Sequence, residues 1–307
     1  MMAISAELQA TIDQLRANNE AAAEAGIGPS IEGVRDMMEN VLYTAPMPDG
    51  INVTPVDAAG VPCEWVVDEG ADSSRRLLYV HGGGYAAGNL NTHRVLAADI
   101  SKAAGVAVLN VDYRLAPESL APAQFDDGMT AYRWMLENGP GGAGAPAKCF
   151  IAGDSAGGGL AVALLMGIRD AGLPAPTAAV AMSPWADLSC SGDTFESRAE
   201  TDPMIQKPTV EWFAGLTAGD SVDLKDPRIS PVFGDYHDLP PILIHVSEDE
   251  VLLCDSLMIE EKARAAGVDV TIERWPGTIH VWHALGRAVP EAAQAIDKIG
   301  DYIRARA

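Results

Sequence analysis

Ser155 lies in the run Phe150-Ile-Ala-Gly-Asp-Ser-Ala-Gly-Gly-Gly-Leu160, with a glycine two residues to either side. An apolar, strand-like run ends at Gly153, and a small-residue, then aliphatic, helix-like run begins at Ala156. A serine inside a helix or a strand has no use for glycine on both flanks. A serine thrust out on a sharp strand-to-helix turn does, because the backbones that close in on it leave no room for a Cβ. Such a turn aims the hydroxyl at the amino end of the next helix, whose free N–H groups favour developing negative charge. This is the setting of a nucleophile, and a serine hydroxyl becomes one only when a nearby base takes its proton.

Six histidines could supply that base. His280, in Trp275-Pro-Gly-Thr-Ile-His-Val281, follows the last strand-like run, so a parallel sheet would present it on the same edge as Ser155. His283, three residues on, is its rival. His245 falls inside a strand-like run and reads as a buried, hydrogen-bonded side chain. His237 lies in a polar loop and His93 opens a helix. A carboxylate should orient the imidazole, and Glu248, Asp249 and Glu250 stand between the strand-like run Pro241–Val246 and His280, giving the order serine, acid, histidine. The third requirement is a pocket for an oxyanion. In His81-Gly-Gly-Gly-Tyr85 consecutive glycines leave backbone N–H groups uncovered after a strand, and the Ala156 N–H would complete the donor set. The competing reading, a flexible glycine linker, fits poorly with a strand on one side and an aromatic residue on the other.

The chain of 307 residues is long enough for one large α/β domain or two smaller ones. Its 43 Asp and Glu against 21 Lys and Arg, a formal charge of -22, argue against a nucleic-acid partner, polyanionic substrates and anionic membrane surfaces. The four cysteines, at 63, 149, 190 and 254, lack the paired spacing of a zinc site, and Cys63 and Cys149 read as buried free thiols. Met1 to Asn40 holds no basic segment followed by an apolar one, and no stretch is long and apolar enough to span a bilayer. A reducing cytoplasm is the expected compartment.

The periodicity predicts a helix over Ser5–Glu24 and a second after Pro29-Ser30, with Ile31, Val34, Met37, Met38 and Val41 on one side. A hairpin is expected from Ile51–Val56 and Val61–Val67, then parallel strands at Arg76–Val80, Val106–Val111, Lys148–Ala152, Thr177–Met182, Pro241–Val246 and Val270–Trp275. Helices should fall at His93–Ala104, Phe125–Glu137, after Ser155, at Leu252–Ala266 and across Gly286–Ala307, the last with Ala293, Ile296, Ile299 and Ile303 as its inner stripe. That alternation predicts an α/β fold: eight strands, mostly parallel, with helices on both faces. Asp187 to Asp226 carries no strand, is too long for a passive connection and contains the helix candidate Pro208–Leu216. With the first 45 residues it is expected to form a helical cap. The expected division is therefore 1–45 and 187–226 for the cap, 46–186 and 227–307 for the core.

The chain resembles the bacterial hormone-sensitive-lipase-like esterases. The resemblance is carried by Tyr79-Val-His-Gly-Gly-Gly-Tyr85, Asp112-Tyr-Arg-Leu-Ala-Pro-Glu118, Gly153-Asp-Ser-Ala-Gly-Gly158, Asp202-Pro-Met-Ile205, Leu239-Pro-Pro-Ile242 and Pro276-Gly-Thr-Ile-His280, in family order. It implies an α/β-hydrolase fold and hydrolysis of short- to medium-chain carboxylic esters, without metal or cofactor, through an acyl-enzyme. It matches Ser155 to the nucleophile, His280 to the base, and Gly83, Gly84 and Ala156 to the oxyanion-hole donors. Aligning Ala266-Gly-Val268 and His280 puts Glu250 at the acid position, with Asp249 as runner-up; the family commonly has aspartate there, and some members use glutamate. It also suggests a homodimer through the last strand. Asp112 and Glu118 are expected to brace their loops through Arg114, and Asp154 to support the turn at Ser155. An amidase, deacetylase or lactonase on the same residues, or a receptor on this fold that has lost turnover, are the alternatives.

Overall fold

The computed structural model describes residues 4–24, 30–42 and 44–307. Pro29, just before the expected second helix, and the side chain of Val41 within it lie outside the described residues. Eight strands form one sheet: β1 (Ile51–Ala58), β2 (Val61–Asp68), β3 (Asp72–Val80), β4 (Val106–Val111), β5 (Lys148–Asp154), β6 (Ala178–Met182), β7 (Ile242–Ser247) and β8 (Val270–Trp275), in the order β1-β2-β4-β3-β5-β6-β7-β8. Only β2 runs against its neighbours. The β1–β2 hairpin closes through Ala59 and Gly60, both at positive φ (57° and 95°), the twist a two-residue connection needs. The expected loop at 139–147 contains a two-residue ladder, Asn138–Gly139 with Gly142–Ala143.

Alternate residues of the strands feed two cores. Leu77 and Tyr79 of β3 point to the face covered by α3 (Leu90–Ala104) and α8 (Pro290–Arg304), where they meet Leu96, Ile100, Ile296, Ile299 and Ile303. Leu78 and Val80 point to the face covered by α4 (Ala123–Glu137), α5 (Ala156–Asp170) and α7 (Leu253–Ala265). Burial of Arg76–Val80, of β4 and of most of β5 from both faces explains why these stretches read as largely apolar runs. On α8 the buried stripe is Ala292, Ala295, Ile296, Ile299 and Ile303, so Ala293 is only half-buried and does not belong to it.

After β3 the chain crosses to β4 on one side, then returns to β5 on the other side of β3. The carboxyl ends of β3 and β5 thus flank a topological switch point, where an open α/β sheet leaves a crevice. The triple-glycine loop leaves β3 there and Ser155 leaves β5. Over this edge lie three helices that precede or interrupt the strand pattern: α1 (Ala6–Glu24), α2 (Ile31–Met37, continued as a π-helical turn over Met38–Leu42) and α6 (Lys207–Ala218). Leu8 and Ile12 of α1 pack on Ile279, Trp282, Val289, Ala292 and Ala295, the region that carries His280 into α8. Arg35 of α2 reaches the Ala86 and Ala116 carbonyls and pairs with both oxygens of Glu118 at 2.8 Å. Glu118 therefore serves Arg35, while Arg114 clasps Asp127. The expectation that Arg114 braces Asp112 and Glu118 is not met, because α4 brings Asp127 to Arg114 before either can reach it.

Candidate active site

Ser155 sits at φ 54°, ψ −123°, a strained conformation for a residue with a side chain. The turn is held by its backbone: Ser155 N donates to Met182 O (2.8 Å), and its carbonyl accepts from Gly159 N (3.1 Å) and Trp185 N (2.8 Å). A Cβ at Gly153 would run into the Gly157 carbonyl, and one at Gly157 into those of Val80 and His81. These two glycines are what allow α5 to start so close to β3. Ala156 opens α5, so its N–H is among those a helix leaves without an internal partner.

The side chain of Ser155 meets His280. His280 Nε2 lies 2.8 Å from Ser155 Oγ, and its Nδ1 lies 2.9 Å from Glu250 Oε2. A carboxylate only accepts, so Nδ1 carries the ring proton and Nε2 is left bare to take the serine's. Burial pulls the His280 pKa down, but the hydrogen bond and charge of Glu250, with Asp202 and Asp154 behind, hold it above the ordinary 6.5. The other two acids of the turn face elsewhere. Asp249 Oδ2 accepts from Gly277 N at 2.6 Å, and Glu248 lies 3.2 Å from Arg274. The Asp249 bond, with that from Ser247 Oγ to Thr278 O (2.7 Å), ties the turn after β7 to the loop that carries His280.

His283 is turned away from Ser155. Its Nε2 lies 3.1 Å from His245 Nδ1 in a fully buried pair stacked beside Trp282, and burial pushes both well below the ordinary imidazole range, His245 to about 3. His237 is an exposed partner of Asp235, and His93 is buried in α3 within 3.4 Å of Asp154.

The triple-glycine loop is braced from below by Asp154, expected to support the turn at Ser155, and by the ring of His81. Asp154 Oδ1 accepts from Tyr79 Oη (2.6 Å) and from Gly82 N (3.0 Å). A Cβ at Gly82 would collide with Asp154, so glycine there permits the contact. His81 is pushed down to about 3 by burial and then by His93, so it is neutral, and its proton sits on Nδ1, donated to Gly82 O at 2.7 Å. Its ring stacks on Tyr113, whose hydroxyl donates to His81 O at 2.6 Å. Gly83 (φ 116°) and Gly84 (φ 61°) then turn over the crevice in conformations that favour glycine.

Gly83, Gly84, Ser155 and His280 form the floor of an apolar cavity of about 170 Å³. Its walls are Trp185 and Leu252 from the core, and its roof comes from Leu15 and Asn19 of α1, Val34, Met37 and Met38 of α2, and the segment from Pro203 to Phe213. A Cβ on Gly84 would stand 2.6 Å from the Phe213 ring, so α6 rests directly on the glycine loop. Asp202 has no role assigned from the sequence, where its signals are its place in the motif Asp202-Pro-Met-Ile205 and in a segment too long to be passive.

An α/β hydrolase is what this sheet and this serine turn define. A family model described as alpha/beta hydrolase fold matches residues 77–284. An acetyl-hydrolase of Streptomyces hygroscopicus is 43% identical over 258 residues, covering 83% of this chain and 84% of its own. A solved structure of EstE5 soaked by p-nitrophenyl butyrate superposes with a TM-score of 0.90 at 43% identity, over 98% of this chain and 99% of that one. An esterase from the bacterial hormone-sensitive lipase family gives a TM-score of 0.90 at 39% identity, with 99% of each chain covered. The chain belongs to this family of bacterial hormone-sensitive-lipase-like α/β-hydrolases.

Proposed function

We propose that this carboxylic ester hydrolase is a serine esterase, with Ser155 as nucleophile, His280 as general base and Glu250 as the acid that orients it. His280 Nε2 takes the Ser155 proton as Oγ attacks the ester carbonyl, and the oxyanion is received by the N–H groups of Gly83, Gly84 and Ala156. The imidazolium, facing Glu250, then gives its proton to the leaving alcohol oxygen as the carbon–oxygen bond breaks. Water enters, His280 removes its proton, and the hydroxide attacks the acyl carbonyl. The acid departs as Ser155 takes back its proton. The cycle calls on no metal or cofactor. The observation that carries this reading is the unbroken chain from Ser155 through His280 to Glu250 on the floor of an apolar cavity.

The substrate proposed is a short- to medium-chain carboxylic ester. A cavity of about 170 Å³ supports it, as does the similarity to a protein named acetyl-hydrolase. Across p-nitrophenyl esters, kcat/KM is expected to be highest from acetate to hexanoate and to fall for longer chains. Phenylmethylsulfonyl fluoride should abolish activity with one sulfonyl group on the peptide that contains Ser155. A flat profile out to laurate would contradict the size argument, and an inactivating adduct elsewhere would contradict the nucleophile.

The proposed cap comprises residues 1–45 and 187–226 over a core of 46–186 and 227–307, supported by the helices that roof the cavity. A homodimer through β8 is proposed because β8 ends the sheet with its outer edge unpaired among the described residues. Light scattering should give twice the chain mass; a monomer mass at micromolar concentration would dispose of it. A reducing cytoplasm remains the proposed compartment, supported by four free, buried cysteines. Among the described residues no helix is long and apolar enough to cross a membrane.

A further inference from the structure

Glu250 lies in the bend between β7 and α7, where no regular ladder fixes the backbone. Val251 N, the next backbone donor, is buried and still needs an acceptor. That acceptor comes from the long segment between β6 and β7. Asp202 Oδ2 accepts from Val251 N at 2.9 Å, while Asp202 Oδ1 accepts from Met204 N (2.8 Å) and Ile205 N (2.9 Å). Met204 and Ile205 line the cavity, so one carboxylate holds the cavity wall and the acid's turn together. Two threonines of the same segment add ties: Thr194 Oγ1 donates to Val251 O (2.6 Å) and Thr201 Oγ1 to Asp249 O (2.9 Å).

We propose that Asp202 is a positioning residue, which couples the cavity wall to the catalytic acid by holding the turn in which Glu250 Oε2 meets His280 Nδ1. The inference rests on the triad reading given above. An uncharged residue could not do the whole task. Asparagine could still accept from Met204 and Ile205, but its amide N–H groups would then face Val251 N–H, donor against donor. The site tolerates a second buried carboxylate beside Glu250 despite the cost of that proximity: burial first, then the charge of Glu250, pushes Asp202 up to about 6 against the pull of its three N–H donors. The charge also reaches His280, which faces Glu250, Asp202, Asp154 and the neutral His283.

Asp202→Asn tests this with p-nitrophenyl butyrate. Because the wall contacts survive and the acid's tie does not, kcat should fall on the order of tenfold to a hundredfold while KM stays near wild type. The acid limb of kcat/KM should move to lower pH, because His280 loses an anion that favours its protonated form. In a Glu250→Gln background the same change should cost little further, since the residue it positions is already gone. Losses that multiply in full, or an unshifted limb, would mean that Asp202 only supports the fold. If Asp202→Asn does not fold, Thr201→Val breaks the exposed neighbouring tie; it should lower kcat and be non-additive with Glu250→Gln, and wild-type kcat there would overturn the proposal. Failure of the triad reading looks different: Ser155→Ala or Glu250→Gln would then turn over at the wild-type rate. If both of those are inactive and Asp202→Asn is wild type in kcat and pH profile, the coupling alone is wrong.

Discussion

Ser155→Ala should lose turnover of p-nitrophenyl butyrate on the order of a million-fold, with the fold intact. The expectation follows from how little else the hydroxyl does. It makes no cap bond to α5, and the strained turn is secured by backbone bonds to Met182, Gly159 and Trp185 that alanine keeps. The substitution therefore removes the attacking oxygen and leaves the glycine loop and the Ala156 N–H in place. What survives should be the roughly thousand-fold or more over water that an oxyanion pocket and binding give without a nucleophile. Circular dichroism and a thermal melt should match wild type. A variant that keeps a tenth of the activity would show that another group attacks the ester.

Glu250→Gln should cost on the order of ten-thousand-fold in kcat, against less than about tenfold for Asp249→Asn. A glutamine that presents its amide nitrogen to His280 meets the Nδ1 proton with a donor and favours the opposite tautomer, which leaves Nε2 protonated and unable to accept from Ser155. Presenting its oxygen keeps the tautomer but removes the charge that stabilises the imidazolium. The carboxylate has no competing task, since Glu250 Oε1 is buried without a hydrogen-bond partner among the described residues. Asp249 serves Gly277 N, a bond that asparagine's carbonyl oxygen can still accept. Kinetics of both variants decide the matter, and a larger loss in Asp249→Asn would reverse the roles.

By itself the sequence determined which chemistry-bearing residues stand at which strand ends. Glycine at 153 and 157 answers a local demand, a backbone approach that excludes Cβ, and the two-residue and 3.6-residue periods report burial along each element. Such signals need no knowledge of distant partners. They delivered the eight strands, the α/β alternation, and the arrival of Ser155, His280 and the triple-glycine loop at one sheet edge. The boundaries that shifted, such as β3 beginning at Asp72, lie in polar residues where the period carries little signal.

Only the tertiary structure decided which side chain meets which. Glu248, Asp249 and Glu250 are chemically alike and adjacent, and the direction of the bend after β7 turns one to Arg274, one to Gly277 and one to His280. Arg114 and Glu118 lie close in sequence, yet α4 and α2 supply nearer partners in Asp127 and Arg35. Asp202 is separated from Val251 by 49 positions, and its bond to Val251 N exists only once the β6–β7 segment has folded over the sheet, whereas its bonds to Met204 N and Ile205 N are local. Hydrogen bonds and ion pairs act over a few ångströms and depend on direction. Their partners are therefore set by how the elements pack, which residue order alone does not contain.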